Sequence, residues 1–279
     1  MWQQPCTVQC NLFILLCSFF LLVAAMMNSL ENLPTTPRIA LLSDFGDRDG
    51  FTGIIKGIIT GLCPQASCID VAHAIPHGDI AHAAWVLQQA LPAFPPYTLW
   101  LSVVDPFVGH PEQLPIIAWL PEYLAWICAP NNGLLTHVLS PKSQLRHLNN
   151  PHYFWLRQLP QYTTFFAKNI YAPVIAHMAA ALASSSPKQV VSTFKALGPA
   201  LPSSQWVYLP IQPAVQTQQG CIIGTVVTVD CYGNIITNLP NPWAFKTRFT
   251  HVQWGSNPKQ WPIYSITCYS ELKQYNDKA

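Results

Sequence analysis

Apolar residues come in short dense runs along the chain, separated by loops rich in Asp, Gly and Pro. Arg38 to Ser43 (RIALLS) is an apolar run of strand length, followed by the polar, Gly-containing loop Asp44 to Gly50. Ile54, Ile55, Ile58, Ile59 and Leu62 then recur at helical spacing until Pro64 stops the pattern. Ser67 to Val71 predicts a second strand, Ile80 to Leu91 a second helix, and Thr98 to Val104 a third, almost wholly apolar strand. Ile116 to Leu120 and Leu124 to Cys128 predict a hairpin around Pro121-Glu122-Tyr123. Strands that are apolar on both faces and alternate with helices predict an α/β layer with a buried, mainly parallel sheet.

Ile170 to Ala183 is the last clear helical pattern, and Ser184-Ser185-Ser186-Pro187 ends it. The next stretch, to Gln219, is rich in Pro, Ser and Gln. From Gly220 the pattern turns to β: Ile222 to Val229, a turn at Tyr232-Gly233-Asn234, and Ile235 to Leu239. These shifts divide the chain into a lead-in at 1–37, an α/β domain at 38–195 and a smaller β domain at 205–279. Within the lead-in, Leu12 to Met27 is apolar but shorter than the roughly 20 residues of a membrane span. Val23-Ala24-Ala25 supplies small residues of the kind a signal peptidase cleaves, yet Met1 to Asn11 holds no Lys or Arg. Two readings stay open: a signal-like segment, giving a secreted or membrane-anchored protein, or translation from Met26 or Met27, giving a cytoplasmic one.

Composition narrows the classes. Half the residues are hydrophobic and 9% are charged, against about 25% in ordinary domains, so part of the surface is expected to be covered by other subunits. A net charge of +2 with no Lys/Arg stripe excludes nucleic-acid backbone binding. Of the nine cysteines, Cys6, Cys10 and Cys17 fall in the lead-in; the others, Cys63, Cys68, Cys128, Cys221, Cys231 and Cys268, form no C-x-x-C pair and are expected as buried free thiols. His73, His77, His82 and His110 share no helix face, so polar or turn roles are expected rather than a metal site.

Asp44, Asp70 and Asp105 each end or follow a strand, where open α/β sheets bind ligands. Any one of them alone is a helix cap or turn residue. Together, with Gly46, Gly50 and Gly109 beside them, they predict a lined cleft. There is no G-x-G-x-x-G and no Walker loop, so neither a dinucleotide site nor a P-loop is supported. Asn131-Asn132-Gly133 and Asp230 to Asn234 both suit tight turns.

These segments add up to a resemblance. S-D-F-G-x-x-D-G-F at Ser43 to Phe51, D-V-x-H-x-I-P at Asp70 to Pro76 and V-V-D-P-x-V-G at Val103 to Gly109 are similar to motifs of the S-adenosyl-L-methionine (SAM) hydroxide adenosyltransferases, fluorinases and chlorinases. So are A-P-N-N-G-L-L-T at Ala129 to Thr136 and D-C-Y-G-N-I-I-T-N at Asp230 to Asn238. T-F-F-A-K-N-I-Y-A-P at Thr164 to Pro173 resembles the family's T-F-H-G-R-D-I-F-A-P.

The resemblance implies an α/β domain followed by a smaller β-barrel-like domain, here shortened, since a polar tail at Glu271 to Ala279 stands where the family pattern continues. It implies a homotrimer that holds SAM between subunits, with SAM as substrate and no cofactor. Asp44 takes the place of the acid holding the ribose hydroxyls; Phe45, Asn132, Asp230 and Asn234 take substrate-contacting places. The implied reaction is hydrolysis to adenosine and L-methionine by water attack at ribose C5′; halogenation is disfavoured by the charge of Asp105 where a halide would approach. Asp105 matches the acid beside the attacking water. The family's Arg and His positions are Glu112 and Phe166, with Lys168 and Asn169 replacing a further Arg-Asp pair, and His110 is a nearby imidazole. The alternative reading is a catalytically inactive SAM- or adenosine-binding paralogue or a truncated remnant.

Overall fold

Strand β1 (Arg38–Ser43) sends alternate side chains to opposite faces of a sheet, Ile39 and Leu41 into one core and Ala40 and Leu42 into another. Strand β3 (Leu99–Val103) does the same, with Leu99 and Leu101 on one side and Trp100 on the other. Each large apolar side chain buried this way stabilises the fold by roughly 1.5–3 kcal/mol, which is why both strands lack polar alternation. The computed structural model describes residues 33–158, 163–218, 221–240, 251–253 and 260–262. The expected leader (Leu12–Met27) and polar tail (Glu271–Ala279) lie outside these residues.

The chain divides into two compact units, Met1–Pro210 and Ile211–Ala279. The first is built on a seven-stranded sheet that adds β2 (Ser67–Ala72), β4 (Pro115–Leu120), β5 (Ala125–Pro130), β6 (Gln144–His147) and β7 (Ala200–Leu201) to β1 and β3. Their order is β2-β1-β3-β5-β4-β6-β7. The first four are mutually parallel; β4 runs against β5, and β6 runs against β4. Because two reversals restore direction, β6 points with the first four and the sheet is mainly parallel. In the β4–β5 hairpin Trp119 stands opposite Trp126, their rings 4.3 Å apart.

Helix α1 (Phe51–Leu62) follows Gly50, which caps it in the left-handed region at φ 76°, and buries Ile55, Ile58 and Ile59 in the first core. Helix α2 (Ile80–Ala90) is capped by Asp79, whose side chain accepts from the His82 amide at 2.9 Å, and buries Ala83 and Leu87 in the second core. Helix α3 (Ala172–Ala183) is preceded by a π-helical turn, Ala167–Tyr171. Pro173 has no N–H for the Asn169 carbonyl four residues back, and that carbonyl accepts from the Trp155 amide instead, at 3.0 Å.

Helix α4 (Pro187–Ala196) lies in the Pro-, Ser- and Gln-rich stretch beyond the last clear helical pattern. Ser186-Pro187, taken as the end of the preceding helix, is the start of this one: Ser186 caps it by accepting from the Gln189 amide, and proline suits the first turn.

In the second unit the described residues form separate two-stranded antiparallel sheets rather than one closed barrel. They pair β8 (Val215–Gln216) with β9 (Ile222–Ile223), β10 (Val226–Val229) with β11 (Ile235–Thr237), and β12 (His251–Gln253) with β13 (Gln260–Pro262). Such narrow hairpins bury little, so Cys221 and Cys231 are exposed, contrary to the expectation of buried thiols that Cys63 and Cys128 meet. Among the described residues, no helix is long and apolar enough to cross a membrane.

Candidate active site

From β1 the chain adds β2 on one side and then returns to add β3 on the other, so a crevice opens beyond the ends of β1 and β3. Crossovers that diverge in this way make the usual ligand site of an open α/β sheet. Asp44 and Asp105 sit at those two ends and line one cleft with Phe45, Val103, Val108 and Thr164 to Ala167. Asp70, expected beside them, does not join the lining. It lies on β2, one strand farther out, where its carboxylate accepts from Lys56 Nζ at 2.6 Å and bonds His73 Nε2 at 3.0 Å.

The two acids in the cleft are held differently. Asp44 Oδ2 accepts from the Gly78 amide at 3.0 Å, and His77 Nδ1 stands 3.7 Å from the same oxygen. Gly78 presents that N–H from a positive φ of 72°, and a Cβ there would meet Pro106 at 3.3 Å. Asp105 Oδ1 accepts from the Phe107 amide at 3.2 Å, while Oδ2 is buried with no partner among the described residues. Burial pushes Asp105 up to about 6; the Phe107 N–H opposes it, and the charge of Asp44 adds a still smaller upward push. The buried Ser102 and Tyr171 hydroxyls also have no partner among the described residues, and Tyr171 feels the charge of Asp105.

Around the carboxylates the walls are aromatic. Phe45, Phe51 and Phe165 meet edge to face, with centroids 6.0, 6.0 and 5.2 Å apart. Phe166 lines the cleft, so the position of the family histidine offers an apolar ring. Glu112 is exposed and outside the lining; its backbone N–H donates to His110 Nδ1 at 3.4 Å, and His110 is exposed as well. Lys168 is half-buried, and Asn169 Nδ2 donates to Thr163 Oγ1 at 2.7 Å.

The remaining predicted residues are engaged locally. Asn132 donates through Nδ2 to the Val104 carbonyl at 2.9 Å and accepts the Leu134 amide on Oδ1, which pins the backbone next to Asp105. In the second unit, Asp230 Oδ1 accepts from the amides of Tyr232 and Asn234, and Oδ2 accepts from Asn234 Nδ2 at 2.7 Å. The side-chain bond from Asn234 leads the effects that hold the Asp230 carboxyl below the usual range.

A model of the SAM hydroxide adenosyltransferase N-terminal domain matches residues 39–187. The chain belongs to the SAM hydroxide adenosyltransferase family. It is 34% identical over 205 residues to an (R)-S-adenosyl-L-methionine hydrolase of Salinispora tropica, covering 72% of this chain and 71% of that relative. A protein of the same name in Thermus thermophilus is 31% identical over 207 residues, with 72% and 74% covered. A fluorinase of Actinopolyspora mzabensis is 24% identical over 228 residues, with 73% and 71% covered. The structure resembles that of an uncharacterized conserved protein from Thermotoga maritima, with a TM-score of 0.66, 28% identity, and 82% of this chain and 83% of that one covered.

Within this member of the family, sequence reasoning missed the tie between Gly78 and Asp44 and the side-chain chain Lys56–Asp70–His73–Ser43. A Gly with an acid beside it signals only a turn, and strand-end residues reveal their neighbours only once strand order is known.

Proposed function

We propose that the chain hydrolyses SAM to adenosine and L-methionine, with Asp105 as the general base. The observation that carries this is the buried, unpartnered Oδ2 of Asp105, on a carboxyl that titrates at about 6 and faces the same cleft as Asp44. A base works best when its pKa lies near the working pH, and burial brings this one there without a histidine. Water oxygen attacks ribose C5′, the C5′–S bond breaks with its electron pair going to sulfur, and the water proton passes to Asp105. Methionine leaves as a neutral thioether, so no acid is needed for the leaving group. Two carboxylates favour a sulfonium cation in the cleft, and the Phe45, Phe165 and Phe166 rings that line it keep bulk water from it. In this reading Asp44, Phe45 and Asn132 take the substrate-holding places of this unit.

Assembly belongs to the same reading. The cleft encloses about 50 Å³, small beside the roughly 300–1,000 Å³ of ligand pockets, and Phe107 next to it is 65% exposed. Both features support a homotrimer in which a second copy completes the site. The test is incubation of the purified chain with SAM and chromatography of the products. Adenosine and methionine in equal amounts from the wild type, and none from Asp105→Asn, are expected; equal turnover by both proteins rules out Asp105 as base. Light scattering that finds a monomer at micromolar concentration removes the trimer.

A further inference from the structure

Outside the cleft, four polar side chains from β1, α1 and the end of β2 form an unbroken chain. Lys56 Nζ donates to Asp70 Oδ2 at 2.6 Å, Asp70 Oδ1 bonds His73 Nε2 at 3.0 Å, and His73 Nδ1 bonds Ser43 Oγ at 2.7 Å. Its outer end is half-exposed at Lys56 and Asp70, whereas Ser43 is buried, 2% exposed, immediately before Asp44. Ser43 is too enclosed to act as a nucleophile, so its serine–histidine–aspartate order serves something other than acyl transfer.

The chemistry of the order explains what it does. A carboxylate only accepts, so Asp70 draws the ring proton of His73 to Nε2 and leaves Nδ1 as an acceptor. Ser43 must then donate its hydroxyl proton to Nδ1, which leaves its lone pairs for the Phe45 amide, 3.3 Å away. Burial raises the Asp70 pKa, but the hydrogen bonds from Lys56 and His73 and the charge of Lys56 outweigh it and keep the carboxylate ionised. The backbone carbonyl of His73 accepts from the Gly46 amide at 2.7 Å, and Gly78 grips Asp44 from the same segment. Residues 73–78 therefore hold 43–46 at three successive places, on either side of the carboxylate and on it.

We infer that the chain Lys56–Asp70–His73–Ser43 is a positioning relay, which fixes the turn carrying Asp44 so that its carboxylate is presented ready-aimed to a ribose. The inference rests on the SAM hydrolase reading for its ligand, and it assigns the relay to binding rather than to the displacement step. Its disruption raises KM and weakens nucleoside affinity while leaving kcat nearly untouched. A purely architectural role would instead lower thermal stability with no selective effect on KM.

The experiment titrates the full chain with adenosine by calorimetry and follows SAM turnover in parallel, with melting temperature as a control. One ordinary hydrogen bond corresponds to about three- to tenfold in affinity. Asp70→Ala and His73→Phe are expected to weaken adenosine binding and raise KM by that factor, with kcat within about twofold. Asp70→Asn, which still accepts from Nε2–H, is expected to recover most of the loss. Affinity in Asp70→Ala equal to wild type overturns the relay, and so does Asp70→Asn as weak as Asp70→Ala. If His73→Phe does not fold, the half-exposed Asp70 variants decide. A wild type that binds adenosine without hydrolysing SAM defeats the hydrolase reading while the titrations still judge the relay; one that binds neither ligand overturns both.

Discussion

Asp44 and Asp105 line one cleft from neighbouring strands, and the charge of Asp44 adds to burial in pushing the Asp105 carboxyl up to about 6. The arrangement divides two tasks between like groups: one carboxylate is tied to a backbone N–H, and the other keeps a free buried oxygen.

The rate of SAM hydrolysis is expected to follow the ionisation of Asp105. It should rise with pH through about 6 and level off above, because only the carboxylate accepts the water proton. A pH–rate profile at saturating SAM measures this, and a profile that is flat between pH 5 and 7 rules it out.

Asp105→Asn is expected to abolish turnover and to stabilise the protein at alkaline pH. The folded state holds the Asp105 proton more tightly than the unfolded chain does. Its contribution to stability is therefore complete below about pH 4 and is lost as pH rises through about 6. Asparagine does not ionise, so the variant gains about 1–2 kcal/mol over wild type at pH 8, discounted for the solvent that still reaches the site, and nothing at pH 4. Chemical denaturation at the two pH values reads the difference.

Phe166→His is expected to speed hydrolysis at least tenfold, whereas Glu112→Arg alone changes it little. Phe166 lines the cleft, so an imidazole there joins Asp105 beside the water; Glu112 is exposed and outside the lining. A positioned acid–base group is worth roughly 10²–10⁴-fold when its geometry is right. Equal gains from the two single variants would show that Glu112 reaches the site after all.

Tyr171→Phe is expected to stabilise the fold by about 1 kcal/mol. The Tyr171 hydroxyl is buried without a partner, and burial leads the effects that push its pKa up. Removing it ends that desolvation penalty and leaves the packed ring in place. A lower melting temperature in the variant would mean that the hydroxyl is satisfied.

The strands and the two cleft acids were legible because their signals are local. Apolar runs such as RIALLS reveal themselves, and an acid directly after one sits at a strand end whatever the topology. Asp70 carried the same signal and went elsewhere, since strand order, which the sequence does not display, sets β2 one place away from the crevice. Helix α4 was hidden because Ser186-Pro187 is equally a stop and a start. Glu112 matched the family's arginine by position, but a loop between β3 and β4 sets its exposure, and loop geometry is not periodic. For Asp230 and Asn234 the turn reading describes their hydrogen bonds, which run between the two residues and the backbone of their own hairpin.

The two cores lie beneath the ends of β1 and β3; Glu112 stands on an exposed loop outside both, whereas Phe166 packs against the first. Natural variation can therefore exchange an arginine for Glu112 without disturbing what keeps the chain folded, while a histidine in place of Phe166 gives up part of that packing. Heat resistance, solubility and cellular abundance in such a lineage carry no information about turnover, and a silent enzyme would survive purification as well as an active one.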